Sequence, residues 1–178
     1  ADYGRGRDMP MKVVPLDSRF QAGSFDVELV SVAHSVPETS GLVIRTPLGT
    51  VYHTADWKLD RTPYIGKPAD ASRLAAIGDE GVLGLVCDST NAMRDGESPS
   101  ETDVAESIAQ IVAKAPFRVV VTTFSSNVAR IQACAEAARR SGRRLVVAGR
   151  ALHRVIQVAV ETGYLPKDFT WLDQQQFK

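Results

Sequence analysis

The sequence predicts an α/β fold on two observations. From about residue 80 onward, apolar β-branched runs alternate with helical segments over short loops, the pattern of a parallel sheet covered by helices on both faces. Before that point, two apolar runs are joined by Pro47-Leu48, a connection typical of a β-hairpin. A polar loop with Gly96 and Pro99 separates the two halves, so we expect a domain boundary near residues 89–99.

The first half is predicted to contain mainly strands. Residues 1–24 are rich in Gly, Arg, Asp and Pro and predict a loop, with a first strand at the apolar stretch Lys12–Leu16. The next run, F-D-V-E-L-V-S-V-A, ends wholly apolar, as a strand does when it passes under another layer. The elements that follow are strands at Phe25–Ala33, Gly41–Thr46 and Gly49–Thr54, a loop at Lys58–Ala69, a short helix at Ala71–Gly78 and a buried strand at Gly81–Cys87.

The second half is predicted to alternate helix and strand. The run S-E-T-D is a variant of the capping box, in which the Ser100 hydroxyl caps a helix and Asp103 follows three residues later. Pro116 ends that helix, and Gly163 suits the end of the last one. The expected elements are a helix from Ser100 to about Ala115, a strand at Phe117–Thr123, a helix at Asn127–Ser141, a strand at Arg143–Ala148, a helix at Leu152–Thr162 and a short strand at Thr170–Leu172.

The composition is that of an ordinary globular protein, 44% hydrophobic and 24% charged. Lys plus Arg equals Asp plus Glu, 21 of each, so the whole chain has no excess of positive charge that would indicate nucleic-acid binding. A neutral protein can still hold a local basic groove. No apolar run reaches the roughly 18 residues of a membrane span, and the beginning of the chain lacks the apolar stretch of a signal peptide. Cys87 and Cys134 are isolated, which favours free thiols. These features predict a cytoplasmic protein without membrane contact.

Polar residues stand at the ends of three predicted strands. His34 in V-S-V-A-H-S and Asp56 in V-Y-H-T-A-D-W-K each precede a turn, and strand ends can hold metal ligands without placing charge in the core. Zinc prefers imidazole nitrogen and carboxylate oxygen, so the two are candidate ligands. For His34, a hydrogen bond to a loop backbone is the alternative. Asp88 in L-V-C-D-S-T-N-A lies where open α/β sheets place functional groups, with a turn-forming role as its alternative.

A further candidate site lies at a strand-to-helix crossing, T-T-F-S-S-N-V-A-R-I. Ser126 and Asn127 bring hydroxyl, amide and helix N-terminal N–H groups to one place that suits an anion. Arg130, about one turn into the helix, could pair with a phosphate. Helix capping is the alternative for these residues and stays open. The positions of His53, on a predicted strand, and His153, early in a predicted helix, favour structural or surface roles over metal binding.

Four motifs in this order resemble ribonuclease J, a family of metallo-β-lactamase-fold nucleases with a β-CASP insert: H-S-x-P-x-[ST]-x-G, T-P-L-G, [GA]-D-[FW]-K-x-D-x-[ST]-P and D-S-T-N-A. The resemblance runs from about Phe25 to Tyr164. It implies the second half of a lactamase αββα sandwich over residues 1–90 and the first part of a parallel α/β β-CASP domain over residues 91–178. It also implies a zinc-dependent ribonuclease of RNA processing and decay, with RNA as partner, and leaves open a homo-oligomer of the full-length protein.

The resemblance assigns a role to each candidate residue. It makes His34 a zinc ligand and Asp56 a carboxylate that bridges two zinc ions about 3.5–4 Å apart. Asp88 would orient a metal-binding histidine by accepting its free N–H. Ser126, Asn127 and Arg130 would contact the RNA backbone in a cleft between the two domains. The family has Gly where this chain has Ala55, so we expect the backbone there not to have a positive φ.

The sequence contains no H-x-H-x-D-H run, which in the resembled family carries most of the metal ligands. We therefore expect an internal fragment, with that motif upstream of Ala1 and the later motifs beyond Lys178. Two ligands are fewer than the three or four usual for zinc, so the fragment alone is expected to hold little zinc and to be inactive. Two alternatives stay open: a non-catalytic α/β module that binds a nucleotide or RNA, and another β-CASP metallo-hydrolase.

Overall fold

The structure, a computed structural model, describes residues 12–176, which form seven strands, four α-helices and a 3₁₀ turn. The predicted α/β class is confirmed. Among these residues, no helix combines the length and the apolar character needed to cross a membrane. In chain order the elements are β1 (Arg19–Ala22), β2 (Phe25–Ser31), β3 (Ser40–Thr46), β4 (Gly49–His53), α1 (Ala71–Glu80), β5 (Gly84–Val86), α2 (Glu101–Lys114), α3 (Val128–Arg140), β6 (Val146–Val147), α4 (Arg150–Glu161), β7 (Leu172–Asp173) and the 3₁₀ turn Gln174–Gln176.

A five-stranded sheet with the order β1-β2-β3-β4-β5 occupies the first half. Strands β1 to β4 pair antiparallel with their neighbours, and β5 pairs parallel with β4. Strands β2, β4 and β5 therefore run in the same direction, and their carboxyl ends lie at one edge of the sheet. Thr46 pairs with Gly49, which leaves Pro47-Leu48 as the two-residue turn of the predicted hairpin.

The sheet packs against α1 through a small apolar cluster of Val30, Val43, Tyr52 and Ile77. Gly41 is required here, since a Cβ at this position would lie 2.6 Å from the Tyr52 hydroxyl. An ion-pair network also joins α1 to the sheet: Arg73 donates to Glu28 at 2.6 and 2.7 Å. That hydrogen bond is the main cause that lowers the pKa of Glu28.

The helices of the second half begin and end close to the predicted positions. The Ser100 hydroxyl accepts a hydrogen bond from the Asp103 N–H at 3.1 Å and caps α2. After α3, Gly142 has a φ of 62°, as at many helix ends. The second apolar core consists of Val128, Ile131, Val147, Ile156, Ala159 and Leu165.

Of the strands predicted in the second half, one does not form and another is shorter than predicted. The predicted strand Phe117–Thr123 forms no ladder, and the side chains of Phe117 and Val120 are 81% and 91% exposed. A strand needs a hydrogen-bonded neighbour, and within residues 12–176 none pairs with this segment. Arg143–Ala148 is reduced to the two residues of β6, which pair parallel with β7.

Two strand predictions in the first half also need correction. Lys12–Leu16 has no strand structure where the structure describes it; the first strand is β1, which folds onto β2 by a tight turn at Gly23. The predicted strand Gly81–Cys87 shortens to β5 and is exposed rather than buried, with Leu85 62% exposed, because β5 is the edge strand of its sheet. The loop predicted for residues 1–11 lies outside the described residues. The domain boundary near 89–99 stays a prediction.

Candidate functional site

The three strand-end residues follow three strands that end at the same edge of the sheet. His34 follows β2, Asp56 follows β4 and Asp88 follows β5. Because these strands run in the same direction, the loops that carry the three side chains leave the sheet together. The fold therefore creates the setting in which the predicted ligands can meet.

The loops after β2 and β4 are joined through their backbones. Ala33 and Lys58 form an isolated antiparallel bridge, in which the Lys58 N–H donates to the Ala33 carbonyl at 2.8 Å. His34 is thus the residue next to this bridge, and Asp56 lies two residues before it. Both side chains are exposed, and His34 Nδ1 lies 3.3 Å from the Ser35 hydroxyl. Exposure leaves both side chains accessible to a ligand.

The loops after β4 and β5 are joined by backbone and side-chain hydrogen bonds. Buried Thr54 donates its N–H to the Val86 carbonyl at 2.9 Å, and its hydroxyl accepts the Asp88 N–H at 3.1 Å. The Trp57 indole donates to the Asp88 carbonyl at 3.3 Å. The residues on either side of Asp56 therefore hold the backbone of Asp88 in place.

The Asp88 carboxylate forms a turn through one of its oxygens. Oδ1 accepts hydrogen bonds from the Thr90 N–H at 2.9 Å and from the Thr90 hydroxyl at 2.6 Å. These bonds are the main cause that lowers the pKa of Asp88, and the charge of His34 contributes in the same direction. The turn-forming role of Asp88 is thus present.

Ala55, the residue before Asp56, has a φ of 54°. The expectation that the backbone avoids positive φ here was wrong. A left-handed conformation is unfavourable for a residue with a Cβ and suits the Gly of the resembled family. Asp56 therefore follows a strained residue, a feature often found at functional sites.

The described side chains do not complete a metal site by themselves. Within residues 12–176, no group of three His, Cys, Asp or Glu side chains is placed to hold a metal ion. His53 Nδ1 accepts the Ala55 N–H at 3.0 Å, and His153 Nδ1 accepts the Trp171 indole N–H at 3.1 Å. His34 and Asp56 are of the donor types that zinc prefers, but two ligands are too few for a usual zinc site.

At the start of α3, capping accounts for the Asn127 side chain. Asn127 is buried, and its Oδ1 accepts the Arg130 N–H at 2.9 Å. The Arg130 guanidinium is paired with Glu101 at 3.1 Å, while its Nε is buried without a hydrogen-bond partner. Of the three residues predicted to contact RNA, Ser126 is the one with an exposed side chain.

A buried carboxylate that sequence reasoning missed fastens the Asp56 loop to α2. Asp60 is 4% exposed; its Oδ1 accepts the Thr62 N–H at 3.0 Å and its Oδ2 accepts the Glu101 N–H at 2.9 Å. Lys58 donates to the Pro99 carbonyl at 2.7 Å from the same loop. The K-x-D part of the motif was the available signal, but the partners that join it to α2, Pro99 and Glu101, lie 41 positions further along the chain.

A second contact of this kind joins the His34 loop to the segment after α4. The Tyr164 hydroxyl donates to the Glu38 carboxylate at 2.5 Å. Burial, and then this hydrogen bond, raises the pKa of Tyr164 to about 12. Together with the Asp60 contact, it places parts of the second half beside the loops of the candidate site.

Comparison with known proteins gives consistent matches. Residues 116–178 match the family model described as Ribonuclease J, beta-CASP domain. The chain is 49% identical over 170 residues to the Ribonuclease J of Sinorhizobium meliloti, covering 96% of this chain and 30% of that protein. It is 44% identical over 156 residues to the Ribonuclease J of Thermus thermophilus, covering 87% of this chain and 27% of that one. The chain thus spans about 30% of the length of these relatives.

The fold also resembles a solved structure. The crystal structure of a protein of unknown function from Enterococcus faecalis V583 superimposes with a TM-score of 0.57 and 19% sequence identity. The match covers 84% of this chain and 35% of that one. At this identity, the likeness concerns the fold alone.

Proposed function

We propose that this chain, which belongs to the ribonuclease J family, forms part of a metal-dependent ribonuclease that hydrolyses RNA phosphodiester bonds. The observation that carries the proposal is the arrangement of His34, Asp56 and Asp88. The motifs that contain them follow three strands that end at one edge of the same sheet. The similarity to proteins named Ribonuclease J, which covers up to 96% of the chain, supports it.

His34 and Asp56 supply two ligands to a zinc site in this proposal. Both are exposed at the ends of neighbouring loops and need no rearrangement of the core to bind an ion. The metal ions would activate water and stabilise charge on the phosphate oxygens. Since the relatives are about three times longer, the other ligands would come from polypeptide outside these 178 residues.

Asp88 holds a metal-binding histidine in position. Its turn with Thr90 fixes the carboxylate, and its lowered pKa keeps it ionised near neutral pH. An ionised carboxylate can accept the free ring N–H of a histidine that binds metal through its other nitrogen. His34 is the candidate on this chain, because its loop leaves the sheet at the same edge as the loop of Asp88.

The RNA backbone would pass the start of α3. The exposed Ser126 hydroxyl can donate a hydrogen bond to a phosphate, and the positive end of the α3 dipole favours an anion there. Asn127 contributes by capping the helix, which keeps the start of α3 in place next to Ser126. Arg130 lies about one turn into the same helix, and a phosphate would compete with Glu101 for its guanidinium.

A second candidate function is a non-catalytic RNA-binding module. It is favoured by the absence, within residues 12–176, of three side chains able to hold one metal ion. The two functions differ in their dependence on Asp56, because only the catalytic one needs that carboxylate.

A chimeric enzyme distinguishes them. The matching 170 residues of the Sinorhizobium meliloti Ribonuclease J are replaced by those of this chain, and cleavage of a labelled RNA is measured. We expect the chimera to cleave RNA, and Asp56→Asn to reduce the rate by at least about 100-fold, since even partners of metal ligands cost 10–100-fold. The control is Asp79→Asn, a change at an exposed carboxylate on α1. Equal rates for the two variants would remove Asp56 from the active site.

A further inference from the structure

Four arginines cluster at the C-terminal end of α3, in the run R-R-S-G-R-R over residues 139–144. The helix ends at Arg140, and Gly142 with its φ of 62° turns the chain so that Arg143 and Arg144 face the same cavity. The cavity has a volume of about 610 Å³. We call it the arginine cavity; its walls include Arg139, Arg140, Arg143, Arg144, Tyr64 and Trp171.

The arginine cavity carries an excess of two positive charges. Glu136 and Asp168 are the carboxylates on its walls, against four guanidinium groups. Glu136 accepts hydrogen bonds from Arg139 at 2.7 and 2.8 Å and from Arg140 at 2.8 Å. These bonds lower the pKa of Glu136 to about 2, so that it remains an anion and holds both guanidinium groups in fixed positions.

Where the structure describes the chain, the other two arginines form no ion pair with a carboxylate. Arg143 donates to the backbone carbonyls of Ala115 and Phe117, which fix its position and leave its full charge. Arg144 is exposed, and within residues 12–176 it makes no hydrogen bond or ion pair. The arginine cavity therefore offers positioned positive charge to an anion.

Aromatic side chains lie beside these charges. Trp171 is held by its hydrogen bond to His153 and packs against Phe169 with ring centroids 5.9 Å apart. Tyr64 lines the cavity from the loop that follows Asp60. Positive charge that tracks a backbone, next to aromatic rings on which bases stack, is the combination that binds single-stranded nucleic acid.

We propose that the arginine cavity is a second binding surface for single-stranded RNA. Its four arginines lie at the opposite end of α3 from Asn127, about 20 Å away by the rise of a 13-residue helix. It would therefore hold a part of the strand several nucleotides from the phosphate at the start of α3. The inference shares its substrate class with the proposed function, but it requires neither metal nor cleavage.

The test measures binding of a fluorescently labelled 12-nucleotide oligouridylate to the 178-residue protein by anisotropy, in EDTA and at several salt concentrations. We expect Arg144→Gln to weaken binding by about twofold to fivefold and to reduce the salt slope by about 0.7, one phosphate contact on a single strand. The matched control is Arg154→Gln, an exposed arginine on α4 that does not line the cavity. Equal affinity and slope for the two variants would overturn the proposal.

Tryptophan fluorescence tests the stacking part. In a Trp57→Phe background, Trp171 is the remaining tryptophan, and we expect the oligouridylate to quench its emission.

A peptide of twelve aspartates serves as a second probe, which tests whether the arginine cavity prefers RNA to other anions. If this peptide competes with the oligouridylate at equal concentration, the arginine cavity is a general anion surface and the proposal is wrong. Because EDTA removes metal ions, both experiments measure binding without cleavage. Their results therefore do not depend on whether the proposed nuclease site is active.

Discussion

The carboxylate of Asp60 accepts a hydrogen bond from the backbone N–H of Glu101 at 2.9 Å, between the Asp56 loop and the first residue of α2. Asp60→Asn replaces one acceptor oxygen by an NH₂ group, so either Thr62 or Glu101 loses its partner. We expect the free energy of unfolding to fall by about 1–3 kcal/mol, the cost of an unsatisfied buried polar group. Urea denaturation measures it. Asp79→Asn should change stability by less than about 0.5 kcal/mol, and a similar value for Asp60→Asn would contradict the role of this contact.

Ala55→Gly should stabilise the protein. Relief of the left-handed Ala conformation at φ 54° outweighs the extra freedom of Gly in the unfolded chain, so we expect a gain of about 0.5–1 kcal/mol. Ala75→Gly, at an exposed position within α1, should cost about 1 kcal/mol. The two variants therefore move the thermal midpoint in opposite directions, and a loss of stability in Ala55→Gly would show that Ala55 is not strained.

Tyr164 should make stability depend on pH in the alkaline range. Its pKa is raised from 10.0 to about 12 in the folded state. The contribution of the neutral Tyr164 hydroxyl to the free energy of unfolding is therefore complete below pH 10 and is lost as the pH rises through 12. We expect Tyr164→Phe to flatten the decline of the unfolding free energy over this range. Tyr64→Phe, which leaves the bond to Glu38 intact, should keep the wild-type decline. If the unfolding free energy of wild type and of Tyr164→Phe declined in parallel over this pH range, ionisation of Tyr164 would not be the cause of the decline.

The purified 178-residue protein should contain little zinc and cleave no RNA above background. His34 and Asp56 are two ligands, and zinc sites of ordinary affinity have three or four. Native mass spectrometry and a labelled-RNA assay provide the measurements. Stoichiometric zinc together with metal-dependent cleavage by this chain alone would mean that the active site lies elsewhere.

The helices could be predicted because their signals are local. Ser100 and Asn127 stand where their side chains cap α2 and α3, and both predicted starts agree with the structure to within one residue. The strand predicted at Phe117–Thr123 failed because pairing depends on a neighbour, which a single run of residues does not encode.

The candidate residues could be named from the sequence, because His34, Asp56 and Asp88 are polar residues that follow apolar runs. Their common edge depends on the strand order of the folded sheet, which no local pattern encodes, and their roles at a site stay predictions. The contact between Tyr164 and Glu38 joins residues 126 positions apart, so no local pattern could have indicated it. The same holds for the buried position of Asp60, which depends on where α2 packs.

Anomalous diffraction at the zinc absorption edge, from crystals of the chimeric enzyme, tests the central claim most directly. We expect zinc peaks with a His34 ring nitrogen at about 2.0–2.1 Å and an Asp56 carboxylate oxygen at about 2.0–2.2 Å. Asp56→Asn should weaken or abolish the peaks, and Asp79→Asn should leave them unchanged. Zinc bound wholly by other residues, with the side chains of His34 and Asp56 outside its coordination sphere, would contradict the account.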